Sequence, residues 1–338
     1  MREGGTSLEA RRRCIQAVEP VLRRARSPLA RAGAAFAAAA IALGLALSLA
    51  GCDGSGGSEP SSDAGQTSGP AFQRPSLALS PFDGQAATVE NGASIDASHL
   101  AEGYVAASAS SSARLKFEVA GNGTSYYFDL PSDGTPISCP LVAGDGPYTF
   151  TVWENTSGQR YAELLTVAQD VALADEFQPF VRPNVFCDYD ANSESAKLAD
   201  RLCADAQNEG DVVKAVYDWI VDSIAYDEGK AASLADATGY LPDPDATIAD
   251  GSGICFDYAS LAAAMLRSQG IPCKIVTGYV SPDNIYHAWN MVYIDGTWVS
   301  AGIDIEQGTW TRIDTTFAAG GDMSFVGDGA TYTDRYTY

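Results

Sequence analysis

One stretch constrains this chain more than any other: Gly251-Ser252-Gly253-Ile254-Cys255-Phe256-Asp257-Tyr258-Ala259. Its glycines make a turn. Beyond the turn, Ala259, Ala262, Ala263 and Leu266 line one helical face until Gly270 stops the run. Small residues on that face let the helix lie close against a sheet. Strand-like runs follow at 274–279, 287–294, 297–301 and 310–313. One helix followed by antiparallel strands predicts an α+β domain. Cys255 opens the helix, where the positive end of the peptide dipoles favours thiolate over thiol.

The chain ahead of this helix divides by pattern. Residues 76–183 read as short strands broken by turns. Leu115 to Val119 alternates, Asn122-Gly123 signals a hairpin, and Tyr148 to Trp153 and Tyr161 to Val167 alternate again. Strands at that spacing predict a small antiparallel β-sandwich, and no catalytic cluster falls within it. The character changes near Asn184. Helical spacing appears at 193–206 and at 211–225, where Val212, Val216, Trp219 and Ile220 share a face. Residues 227–253 then form a long polar connection with Pro242, Pro244 and several glycines. Loops of that length in a compact domain tend to be functional. Residues 184–338 are thus expected to form the second domain.

The start of the chain is different again. Seven arginines between Arg11 and Arg31 precede an apolar run from Ala32 to Ala50, which ends in Leu49-Ala50-Gly51-Cys52. A basic region, an apolar region and small residues before a break describe a secretory signal over 1–51. Leu-Ala-Gly-Cys resembles the bacterial lipobox, which implies lipid on Cys52 and a chain facing outside the cell membrane. An uncleaved membrane anchor is the competing reading. Residues 52–75 are rich in Gly, Ser and Asp and read as a flexible tether. Past residue 51 the chain carries 13 basic and 40 acidic residues, net −27. Such a surface argues against nucleic acid as a partner. With His99 and His287 the only histidines and no Cys-x-x-Cys spacing, neither zinc nor any other cofactor is expected. Beyond the export segment lie Cys139, Cys187, Cys203, Cys255 and Cys273. Two disulfides would leave one thiol over; with none, four are small apolar residues.

Downstream of Cys255 come Tyr286-His287-Ala288-Trp289-Asn290 and Trp310-Thr311-Arg312-Ile313-Asp314. Acyl transfer from an amide needs a nucleophile, a proton shuttle and a group that keeps the shuttle turned correctly. Cys, His and Asp can fill those roles, and adjacent strands can bring the last two together. The Cys255 N–H at the helix start is the simplest oxyanion donor. Each residue also has a bland reading, as a small core thiol, a core histidine and a strand terminator. Tyr332, Tyr336 and Tyr338 alternate in a polar ending that reads as a last strand, where they either border the cleft or, the commoner case, are aromatic residues of a sheet edge.

Taken together, Gly253 to Phe317 resembles the transglutaminase-like superfamily. The resemblance rests on Cys255 with Asp257-Tyr258-Ala259, Gly270-Ile271-Pro272 leading to Gly278-Tyr279, and His287-Ala288-Trp289. Asp295-Gly296 with Trp298, then Trp310, Asp314 and Thr316-Phe317, complete it, and Tyr226-Asp227 also fits. It implies a papain-like α+β core with Cys255 as nucleophile, His287 as base and Asp314 as orienting acid. The substrate would be a protein or peptide amide. Asp304 competes with Asp314, because many members place the acid soon after the first tryptophan following His. If Asp314 is the acid, Val299 to Gln307 becomes an inserted hairpin. The other class of function is a surface-binding module whose papain-like domain has lost turnover.

Overall fold

A computed structural model describes residues 65–338 except 235–236, 238, 282–283, 301–302 and 321–330. The export segment and Cys52 lie outside the described residues. In chain order, the β-rich part contains β1 (Gln66–Ser68), β2 (Thr88–Glu90), β3 (Ala93–Asp96), β4 (Tyr104–Ala109) and β5 (Leu115–Gly121). It continues with β6 (Thr124–Leu130), β7 (Ile137–Pro140), β8 (Gly146–Ser157) and β9 (Arg160–Val171). Apart from β1, these strands form two antiparallel sheets in the orders β2-β3-β4-β7 and β6-β5-β8-β9. Alternation drives the packing: Leu115, Phe117 and Val119 of β5 are buried while Lys116 and Glu118 between them are half-buried. The β5–β6 turn holds Asn122 at φ 48° and Gly123 at φ 79°. Positive φ at both central residues matches the twist of the flanking strands, which is why Asn-Gly stands there.

The second part begins with α1 (Glu194–Leu202) and α2 (Glu209–Ser223), the latter capped by Asn208, whose side chain accepts from Asp211 N. Then come β10 (Ala225–Tyr226), α3 (Glu228–Ser233), α4 (Pro244–Asp250) and β11 (Ser252–Gly253). The connection read from sequence as a loop therefore holds two short helices and β11, which pairs in parallel with β10 just ahead of it. Asp227 and Asp243 start those helices by accepting N–H groups of Lys230 and Ala246. Next is α5 (Cys255–Ser268), followed by β12 (Cys273–Val280), β13 (Ile285–Val292), β14 (Thr297–Ser300), β15 (Ile303–Ile305), β16 (Thr311–Ile313), α6 (Thr315–Ala319) and β17 (Tyr332–Thr337). The main sheet is antiparallel in the order β16-β13-β12-β17. Helix and antiparallel sheet give the α+β architecture.

Every residue of α5 is buried. It packs on β12 and β13 and is flanked by α1, α2 and α4. A helix enclosed on all sides must satisfy its polar groups internally. Ser260 Oγ donates to Phe186 O at 2.6 Å. Arg267, 1% exposed, donates to the carbonyls of Cys273, Arg182 and Tyr338 and to Cys187 Sγ.

One expectation needs correction. The free tether over 52–75 does not hold for residues 65–75. There β1 pairs with β14, Phe72 N donates to Gln207 O at 2.8 Å, and Arg74 meets Asp200 at 2.6 Å. Composition misled because the partners of this segment lie far along the chain. Of the two disulfide alternatives, the structure shows the second: no disulfide joins Cys139, Cys187, Cys203, Cys255 or Cys273, and all five are buried.

Candidate active site

Cys255 is the first residue of α5 and is 4% exposed. The turn before it is held by Asp257, whose Oδ2 accepts Ile254 N at 2.8 Å. This carboxylate, fully buried, also receives Tyr240 Oη at 2.5 Å and Lys230 Nζ at 2.7 Å. A side chain at Gly253 would collide with Asp257 Cβ at 2.7 Å, so the glycine is what lets the acid sit there. The other four thiols are ill suited to react. Burial pushes Cys203 and Cys273 up to about 12 and raises Cys139 well above the ordinary thiol range. Cys187 is also raised by burial, with the Arg267 guanidinium opposing.

His287 lies on β13, 4% exposed, with its ring stacked on Phe317 of α6 at 4.3 Å. Its Nε2 meets Asp314 Oδ2 at 2.8 Å. That bond fixes the ring and commits Nε2 to the carboxylate. Nδ1 is then the nitrogen left for proton transfer. Asp314 follows β16 and caps α6, its Oδ1 accepting Phe317 N at 3.2 Å. It is 2% exposed. Asp304 sits exposed on β15, in a different sheet. The carboxylate that meets the imidazole is therefore that of Asp314, with β14 and β15 forming the hairpin between.

The helix bearing Cys255 is tied to the strand bearing His287. Asn290 Nδ2, three residues past His287, donates to Ala259 O, four residues past Cys255, at 2.9 Å. Two tyrosines also converge on Asp314. Tyr332 Oη of β17 donates to Oδ2 at 3.0 Å. Tyr217 of α2 has its phenol pushed up by burial and then by the Asp314 charge. Sequence patterning singles out Tyr332 only as a residue of a last strand and does not single out Tyr217. Tyr332 reaches Asp314 from the opposite edge of the sheet, which no local spacing signals. Among the described residues, no cluster of His, Cys, Asp or Glu is placed to hold a metal ion.

Residues 196–303 match the family model of the transglutaminase-like superfamily. The chain carries a transglutaminase-like domain. The matched span includes Cys255 and His287 and ends before Asp314. The transglutaminase-like domain has relatives among curated proteins. Kyphoscoliosis peptidase of Mus musculus is 29% identical over 132 residues, 36% of this chain and 19% of that protein. Uncharacterized protein ML0607 of Mycobacterium leprae is 26% identical over 143 residues, 39% of this chain and 48% of that protein. The chain thus spans less than half the length of either relative. A solved structure from Cytophaga hutchinsonii, named as a candidate cysteine protease, is 18% identical, covers 68% of this chain and 81% of its own, and superimposes with a TM-score of 0.31.

Proposed function

We propose that this chain is an exported, lipid-anchored cysteine enzyme that transfers acyl groups from amide bonds of proteins or peptides. The observation that carries the reading is the buried His287–Asp314 pair at 2.8 Å beside the helix that Cys255 opens. Cys255 thiolate attacks the amide carbonyl, and the α5 N-terminus stabilises the negative charge that develops on oxygen. The C–N bond breaks as the imidazolium of His287 protonates the departing amine, leaving a thioester on Cys255. Water or a primary amine, deprotonated by His287, then attacks the thioester and releases the thiolate. Asp314 holds the ring and stabilises its cation throughout.

The acceptor is resolved by incubating the enzyme with a protein substrate and a labelled primary amine. Incorporation without cleavage identifies a transferase, cleavage without incorporation a peptidase, and Cys255→Ser abolishes either. If Cys255→Ser leaves turnover intact, the proposal fails. Lipid attachment is assigned to Cys52, so Cys52→Ala is expected to abolish incorporation of radiolabelled fatty acid into the protein, and incorporation that persists in the variant would overturn the assignment.

The burial of Cys255 favours a second reading, a binding module without turnover. Iodoacetamide near pH 6 separates the two. An activated Cys255 is alkylated far faster than the other four thiols, and Cys255→Ser removes the fast phase. Equal, slow labelling of all five supports the binding module.

A further inference from the structure

Asp314 is held by more than the two groups a simple nucleophile, base and acid would need. Its Oδ1 is taken by Phe317 N, and its Oδ2 receives two donors, His287 Nε2 at 2.8 Å and Tyr332 Oη at 3.0 Å. Tyr332 is set up for this contact. Its ring lies edge-on to Trp289 at 4.9 Å, and the Arg312 guanidinium stands over its face at 3.6 Å. Its backbone is registered opposite Val280 in the β12–β17 ladder.

We infer that Tyr332 is a positioning residue of the active site, which shares Asp314 Oδ2 with His287 and thereby sets both the direction and the basicity of the imidazole. The inference rests on the cysteine–imidazole reading above. A second donor on the same oxygen disperses its negative charge, so the carboxylate draws the imidazolium less strongly. The ring is also stopped from swinging with a carboxylate that could otherwise rotate. The phenol remains a donor across the working range, because burial and the Asp314 charge both raise it above the usual phenol range. The last strand of the sheet is therefore part of the site and not only its edge.

The chain has two histidines, which makes the test direct. The full-length, detergent-solubilised protein is labelled at histidine, and both rings are titrated by NMR in a Cys255→Ser background, where the thiol cannot couple to the imidazole. Adding Tyr332→Phe removes one oxygen and keeps the ring between Arg312 and Trp289. The His287 titration is expected to move up by about half a unit to one unit, the size of one hydrogen bond, while His99 stays fixed. In the Cys255 enzyme the same change lowers kcat severalfold, leaves KM within about twofold, and moves the alkaline limb of kcat/KM upward. An unmoved or lowered His287 titration overturns the inference. If Tyr332→Phe fails to fold, the wild-type protein still decides: a slowly exchanging Tyr332 hydroxyl proton with a cross-peak to the His287 ring N–H is required, and its absence overturns the inference. The titration does not depend on turnover. A negative result there refutes the role of Tyr332, whereas loss of the Cys255 requirement refutes the enzyme itself.

Discussion

Asp257 shows how a residue two positions past the thiol can be essential without touching substrate. A buried carboxylate so close to Cys255 opposes ionisation of the sulfur unless its charge is met. Lys230 Nζ and Tyr240 Oη meet it, and both come from the connection ahead of α5. Lys230 also stands over the Tyr240 ring at 5.1 Å, which keeps the three groups together. Lys230→Met leaves the buried Asp257 carboxylate its hydrogen bonds from Tyr240 and Ile254 N but removes its countercharge. The expected cost is roughly 1–3 kcal/mol in a denaturant titration. A second readout is sharper: the pH dependence of Cys255 alkylation is expected to move to higher pH, since the carboxylate without its countercharge disfavours thiolate. Alkylation that moves to lower pH would show that Asp257 does not act on the sulfur. The sequence displayed Asp257 within a motif, but not the residues that neutralise it, because those stand 17 and 27 positions away along an irregular segment.

Elements made by local pattern were legible, and elements made by distant partners were not. The β5–β6 hairpin announces itself through Asn122-Gly123, and α2 and α5 through apolar spacing. The short β2, β3 and β7 carry too few residues to show alternation, and β1 exists only because β14 is there to pair with it. β17 stands between these cases: its alternation is visible and leaves a place beside the cleft open, but the contact of Tyr332 with Asp314 is not visible. Gly278 governs that place. A Cβ there would lie 2.1 Å from Thr333 O and 2.8 Å from the Trp289 ring, so β17 could no longer lie against β12. Gly278→Ala is expected to cost roughly 1–3 kcal/mol by overpacking. Hydrogen exchange should show lost protection in β12 and β17 while α5 stays protected. Unchanged protection in β17 would mean the strand accommodates the methyl and the close approach is not required. Because Tyr332 rides on β17, the same variant is expected to lose activity beyond its loss of stability.

At the scale of the whole molecule, the two parts that sequence separates at residue 183 share one hydrophobic core. The join is aromatic. Phe186 lies 5.8 Å from Phe128 of β6, 5.4 Å from Phe256 of α5 and 4.4 Å from Tyr338, while Tyr126 of β6 meets Tyr336 and Tyr338. Arg267 reinforces the join by bonding Arg182 and Cys187 from the joining segment together with Cys273 and Tyr338 from the sheet. Each of those acceptors is buried, so separating the parts would expose apolar rings and strand an arginine at once. Thermal unfolding of the protein is therefore expected to be one transition, with calorimetric and van't Hoff enthalpies that agree. Phe186→Ala removes the ring that touches both sides. It should destabilise by about 2–4 kcal/mol and lower the melting of the strands and of α5 together. Two transitions in the wild type, or a Phe186→Ala variant that melts only one part, would show that the β-sheets are a separable module.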